Sequence, residues 1–309
     1  MIIRASSAQK IILRRNYLTM YSNSDEIVLG IGIGTTAICA GAWVTDHVEI
    51  IAESATSKTI PAYVSFNDVE RIVGEPAKSQ AVINPENTIY EFPRLIGRRI
   101  GSEIKKEELE MFRFKIEPDA KGIPLFVVQY QGETKKYTAE ELTAMILEHV
   151  KNMANNYFQK PVRKAVLAVP ACFNDTQRQA IKEAGVIAGL EVLRVINQPT
   201  ASCVAYGLHK KKDPKIRNTI VIHVGGSRSS VTRYLIEDEI YEIINDSYDP
   251  NLGGNTLTMR LVEYCVNQFL KKEGIDIKND FQALKQLEFG CEKAKKKLSS
   301  DKSAIQILV

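Results

Sequence analysis

Two short stretches of the sequence place glycines next to hydroxyl side chains: "VLGIGIGTTAIC" (28–39) and "HVGGSRSS" (223–230). A turn without Cβ atoms lets backbone N–H groups approach phosphate oxygens, and a following hydroxyl such as Thr35 or Thr36 adds a donor. Either stretch alone also reads as a plain turn between strands. Two such turns in equivalent positions of two halves are more specific, because opposed loops can clamp one polyphosphate.

The elements that must position these turns follow from periodicity. Residues 27–33, 37–44 and 47–53 are β-rich runs separated by short turns, which predicts an antiparallel meander. "KAVLAVP" (164–170) reads as a strand, and Asn174 with Gln177 forms a capping box for a helix carrying Ile181, Ala184 and Ile187. Thr138 and Glu141 cap an earlier helix with an apolar stripe of Leu142, Met145, Ile146, Val150 and Met153. The second half repeats the theme: strand, Gly-Gly turn and strand over 218–236, and a third strand over 239–246. Helices are expected at about 254–272, with Leu257, Leu261, Cys265 and Phe269 in step, and at about 279–298.

With 309 residues the chain has room for about two cores, and at 44% hydrophobic and 25% charged it has an ordinary globular composition. A net charge of +4 gives no strong pull toward nucleic acid; the basic run "HKKKDPKIR" (209–217) reads first as a solvated hinge. No run approaches a membrane span. Five scattered cysteines without C-x-x-C spacing, and only four histidines, fit a reducing compartment and no zinc site. The first 24 residues hold four basic residues and no acid, a pattern shared by disordered extensions and mitochondrial presequences. The cytoplasm is the first expectation for location and the mitochondrion the alternative.

Long ordered stretches carry a resemblance: "GIGIGTT", "IPAYVSF", "VGEPAKSQAVINPENTIYEFPRLIGRRIG", "VPACFNDTQRQAIKEAGVIAGLEVLRVINQPTASCVAYGL", "HVGG", "LGG" and "CEKAKKKLSS". From about residue 26 to Val309 the chain resembles the nucleotide-binding domain of the heat-shock protein 70 chaperones. The resemblance implies an α/β, actin-like ATPase fold, two RNase-H-like lobes around a nucleotide cleft. It implies residues 1–25 as an extension, 26–208 as the first lobe, 209–217 as a hinge and 218–309 as a second lobe that is incomplete, without the family's substrate-binding domain.

Carried over by position, the resemblance divides the site. Gly34, Thr35 and Thr36 match the first phosphate loop, and Gly225 and Gly226 the second. Glu292, Lys295, Lys296 and Ser299 match the adenosine-binding helix, with Lys296 in place of an arginine that stacks on the base. Pro170 and Arg178 match the pair that relays nucleotide state between lobes. The catalytic positions are replaced: Gly32 for an aspartate, Pro93 for the lysine that positions the attacking water, Gln198 for a glutamate, His223 and Ser230 for two aspartates, and Arg228 for the loop threonine. Phosphoryl transfer needs carboxylates to hold hydrated magnesium and a group to orient water. No catalytic residue and no metal site are therefore expected. ATP or ADP is the implied ligand, and magnesium is placed in doubt.

Two readings of Arg228 and His223 stand side by side: relaxed selection, or a protein cation in place of the metal, since an arginine forks onto phosphate oxygens. "GGSRSS" is similar to the same stretch of the atypical, non-hydrolysing family member that works beside a J-domain protein on fungal ribosomes. The resemblance thus implies a nucleotide-binding, hydrolysis-deficient regulator or co-chaperone in protein folding, with a J-domain protein, an exchange factor or the ribosome as partner and neither DNA nor membrane. The alternatives are an active chaperone ATPase and an interaction module or degenerate paralogue that binds no nucleotide.

Overall fold

The computed structural model describes residues 10–12, 26–54, 57–110, 112–207, 216–237, 240–278 and 280–299. Of the amino-terminal extension, only β1 (Lys10–Ile12) falls among them. Alternation then builds the expected meander: β2 (Val28–Ile33), β3 (Ala37–Val44) and β4 (His47–Ile51). Leu29, Ile31, Ile33, Ile38, Ala40 and Ala42 point into the core from every second position.

After β5 (Ile60–Pro61), which joins the meander, a side layer follows, made of β6 (Tyr63–Phe66), β7 (Arg71–Val73), α1 (Glu75–Gln80), β8 (Thr88–Tyr90), α2 (Lys106–Leu109), β9 (Lys115–Pro118), β10 (Pro124–Tyr130) and β11 (Glu133–Tyr137). Between β8 and α2 a short 3-10 turn, Phe92–Arg94, carries Pro93. Both predicted capping boxes form. Thr138 opens α3 (Ala139–Phe158) and, after β12 (Lys164–Val169), Asn174 opens α4 (Asp175–Ile187). Leu142, Met145, Ile146 and Val150 of α3 are buried in the first core, as their spacing requires.

Next come β13 (Glu191–Asn197) and α5 (Gln198–Ala205), then the second meander: β14 (Ile216–Val224), β15 (Ser229–Glu237) and β16 (Ile240–Asp249). Ile216 and Arg217 of the predicted hinge open β14, and the rest of that segment lies outside the described residues. The chain continues into α6 (Gly254–Glu273) and α7 (Phe281–Leu298).

The first sheet has the order β13-β12-β2-β3-β4, with β5 pairing β3; β12 runs parallel to both β2 and β13, and the meander is antiparallel. The second sheet has the order β1-β16-β15-β14, antiparallel throughout. Helix α5 follows β13 of the first sheet but packs on the second, where Cys203 joins Tyr234, Ile236 and Tyr241 in a small core. Buried Thr200 and the Tyr234 hydroxyl share a hydrogen bond of 2.8 Å there.

One expectation fails on α6. Its buried face is Thr258, Val262 and Val266, with Val262 and Val266 packing on Leu287 and Cys291 of α7, while Leu257 and Phe269 are exposed. Residues four apart drift by about 40° per step around a helix, so a row of four cannot stay on one contact face. Leu261 and Cys265, at the middle of the row, are the two that remain partly buried.

Candidate functional site

The two glycine turns meet. A Cβ built on Gly226 would lie 2.2 Å from Thr36 Oγ1, so only a glycine fits where the second turn rests on the first. Gly34 is fixed by its own turn: its N–H donates to Ala37 O at 3.2 Å, and a Cβ would fall 2.4 Å from that oxygen. In the second turn the Gly225 N–H donates to Arg228 O at 2.9 Å.

The second turn is docked on the start of α6. Gly254 N–H donates to Gly225 O at 2.9 Å and Asn255 N–H to Gly226 O at 2.7 Å. Lys295 on α7 then donates from Nζ to Gly254 O at 2.9 Å, to Thr258 Oγ1 at 2.9 Å and to Glu292 at 2.5 Å. Burial works to raise the pKa of the Glu292 carboxyl, but Lys295, the Thr258 hydroxyl and Lys296 outweigh it and hold it below its ordinary value. Both turns and the inner residues of α7 therefore form one connected unit. Lys296 lies on the exposed side of the same helix, and Ser299, also exposed, caps its carboxyl end.

Gly32 differs from the turn glycines. It pairs with Cys39 in the antiparallel ladder, and a Cβ there would make an ordinary 3.8 Å contact with Cys39 O. Strand packing does not demand a glycine at this position. Pro93 is buried in its 3-10 turn. Gln198 donates from Nε2 to Ile33 O at 3.0 Å and to Ala168 O at 3.5 Å, tying the ends of β2 and β12 beside the first turn. A carboxylate has no proton to give those carbonyls.

Arg178 is held beside the loop that follows Pro170. Arg178 donates to Phe173 O at 2.9 Å, Ala171 O at 3.3 Å and Asn197 Oδ1 at 2.6 Å, which fastens the loop after Pro170 to the end of β13. Arg228 reaches this loop from the other sheet. Its guanidinium lies 5.5 Å from the Phe173 ring centroid, and Nη1 is 3.3 Å from Cys172 Sγ. Among the described residues, Arg228 Nε and Ser227 Oγ are buried without a hydrogen-bond partner. No group of three or more His, Cys, Asp or Glu side chains suited to a metal occurs among the described residues.

His223 faces Ser230 across the β14–β15 pair, and burial holds its imidazole below the ordinary pKa. The unfolded chain then binds the proton more readily than the folded one. Stability from this group is full above its ordinary value of 6.5 and is lost as the pH falls below it. In urea titrations at about pH 7 and pH 5.5, the wild type should lose more stability on acidification than His223→Asn. Equal losses would remove this role for the histidine.

Sequence reasoning missed a set of long-range contacts that join the 90–108 segment to the residues around α6 and α7. Arg94 pairs with Glu91 at 3.1 Å and Glu108 at 3.3 Å and donates to Asn251 Oδ1 at 3.2 Å; Asn255 Nδ2 donates to Glu91 Oε1. Lys285 of α7, buried, lies 4.2 Å from the Tyr90 ring centroid. Arg94 and Asn251 are 157 residues apart, and no local pattern joins them.

A family profile described as "Hsp70 protein" matches residues 28–309. "Heat shock 70 kDa protein 2" of Paracoccidioides lutzii is 42% identical over 272 residues, covering 88% of this chain and 41% of that protein. "Heat shock cognate 70 kDa protein 3" of Dictyostelium discoideum is 42% identical over 281 residues, covering 89% and 44%. A "Ribosome-associated molecular chaperone" of Nakaseomyces delphensis is 41% identical over 272 residues, covering 88% and 44%. The chain thus spans about two fifths of the length of these relatives. No helix among the described residues is long and apolar enough to cross a membrane. With the glycine turns of its two larger sheets apposed and a match over nearly the whole sequence, the chain belongs to the Hsp70 family and has its mixed α/β, actin-like ATPase fold.

Proposed function

We propose that this protein binds ATP or ADP between its two glycine turns, does not hydrolyse ATP, and acts as a regulator or co-chaperone in protein folding. One observation carries the reading. Gln198 spends its amide protons on two backbone carbonyls beside the first turn, a task that a metal-holding carboxylate cannot perform. Gly32, Pro93, His223 and Ser230 likewise put no acid or lysine at the replaced positions. The turns themselves are kept, and Gly34 and Gly226 are glycines that contact requires.

Titration calorimetry of the whole chain with ATP, ADP and adenosine tests the binding half. Saturable heat with both nucleotides, and weaker heat with adenosine, is expected; no heat with any of the three would overturn the reading. A partner that senses the nucleotide state, whether a J-domain protein, an exchange factor or the ribosome, is part of this proposal, and the match to a ribosome-associated relative supports it.

A second reading, an interaction module without nucleotide, has one observation in its favour. Thr36 packs directly on Gly226, and Arg228 is engaged with Phe173 and Cys172. The calorimetry separates the two readings.

A further inference from the structure

All five cysteines are free thiols, and two of them meet. Cys265 of α6 packs on the cluster that holds Cys291 of α7, together with Val262, Val266 and Leu287. The two thiols share a hydrogen bond. The other three stand on other elements: Cys39 in β3, Cys172 beside Arg228, and Cys203 in the small core under α5.

Helices α6 and α7 run antiparallel, since Lys295 near the end of α7 donates to Gly254 O and Thr258 Oγ1 at the start of α6. Side chains on a helix lean toward its amino end. Cys265 therefore leans along α6 toward the level of Cys291, and Cys291 leans back toward Cys265, the convergence that a disulfide needs. Their separation is set within the helix pair, by Val262 and Val266 on Leu287 and by the Thr258 hydroxyl on Glu292 at 2.5 Å.

Access is one-sided. Cys265 is partly buried, whereas Cys291 is fully buried, and that burial, with Cys265 as a neighbour, pushes its thiol up to about 12. We infer that Cys265 and Cys291 form a reversible disulfide that fastens α6 to α7 when the chain meets a peroxide. The Cys265 thiolate attacks one peroxide oxygen, the O–O bond breaks, and a sulfenic acid forms while the released hydroxide takes up the Cys265 proton as water. The Cys291 sulfur then attacks the sulfenic sulfur. The S–O bond breaks, and the departing hydroxide takes the Cys291 proton, so two thiols and one peroxide give one disulfide and two waters. A thiol reductant such as glutathione reverses the bond, which makes it transient in a reducing compartment.

The bridge acts on the unit that holds the second turn. Helix α6 begins on that turn through the Gly254 and Asn255 N–H groups, and α7 grips the same start through Lys295. A covalent tie at mid-helix keeps the two helices from parting and restricts the unfolded chain between them.

Peptide mapping of the reduced full chain, treated with hydrogen peroxide, blocked with N-ethylmaleimide and digested without reductant, tests this. A peptide joining Cys265 to Cys291, two hydrogens lighter than its parts, is expected before any other cysteine pair and should vanish with dithiothreitol. Oxidised protein should melt at a higher temperature than reduced protein, with slower hydrogen exchange over 258–266 and 284–294. Cys265→Ser should lose the link and the rise in melting temperature, and Cys39→Ser should keep both. The inference is overturned if native wild type gives no such peptide, if the link appears only after unfolding in urea, or if Cys265→Ser shows the same rise.

Discussion

Purified protein incubated with ATP and magnesium is expected to release no phosphate above a buffer blank. Loss of one preorganised group from a catalytic site commonly costs about 10²–10³ in rate, and losses within one constellation do not simply add. Here the positions that would supply an acid, a water-orienting lysine and further acids hold Gly32, Pro93, Gln198, His223 and Ser230 together. Pro93 is buried in a tight turn and has no side-chain donor, and burial keeps His223 neutral near pH 7, a poor partner for hydrated magnesium. Restoring one group should not restore turnover. Gly32→Asp is the sharpest check, since the backbone has room for a Cβ at that position and the fold should tolerate it. A steady-state rate in the wild type that disappears in Thr35→Ala would sink the hydrolysis-deficient reading.

ATP affinity should change little when magnesium is chelated, the second large departure expected from an ordinary phosphate site. Carboxylates near a polyphosphate demand a metal to offset their repulsion, and the replaced positions around these turns carry none. Arg228 stands between the sheets instead, with Nε buried and without an acceptor among the described residues. Its contact with Cys172 Sγ is to a weak acceptor, which a phosphate oxygen outcompetes. Arg228→Ala should therefore weaken ATP more than adenosine, by about 1–3 kcal/mol, as for a charge-assisted hydrogen bond. Competition titrations with and without chelator, on wild type and variant, decide the point. Strict dependence on magnesium, or equal losses for ATP and adenosine, would refute the arginine's role.

Local chemistry was legible in the letters. The meander over 28–51, the boxes at Thr138 and Asn174, and the second meander after the Gly-Gly turn all follow from alternation, capping and turn propensity, which act within a few residues. The helix at 254–273 was legible in extent but not in facing. Which side of it is buried depends on where α7 lies, and Thr258, Val262 and Val266 look no more buried in sequence than Leu257. The substituted site positions were likewise visible as letters, whereas the duties of Gln198 and Arg228 were not.

By itself the sequence determined the two repeated strand–turn–strand units, the helices that follow them and the residue types at the six replaced positions, because composition and short-range periodicity suffice for these. Only the tertiary structure decided that Gly226 must be a glycine for Thr36 while Gly32 need not be one for packing, that Gln198 binds two carbonyls, that Arg228 crosses to Phe173, and that Arg94 meets Asn251. Each of these depends on the distance between groups far apart in the chain. That distance is set when whole sheets and helices pack, a summed balance of buried area and satisfied polar groups to which no single segment holds the key.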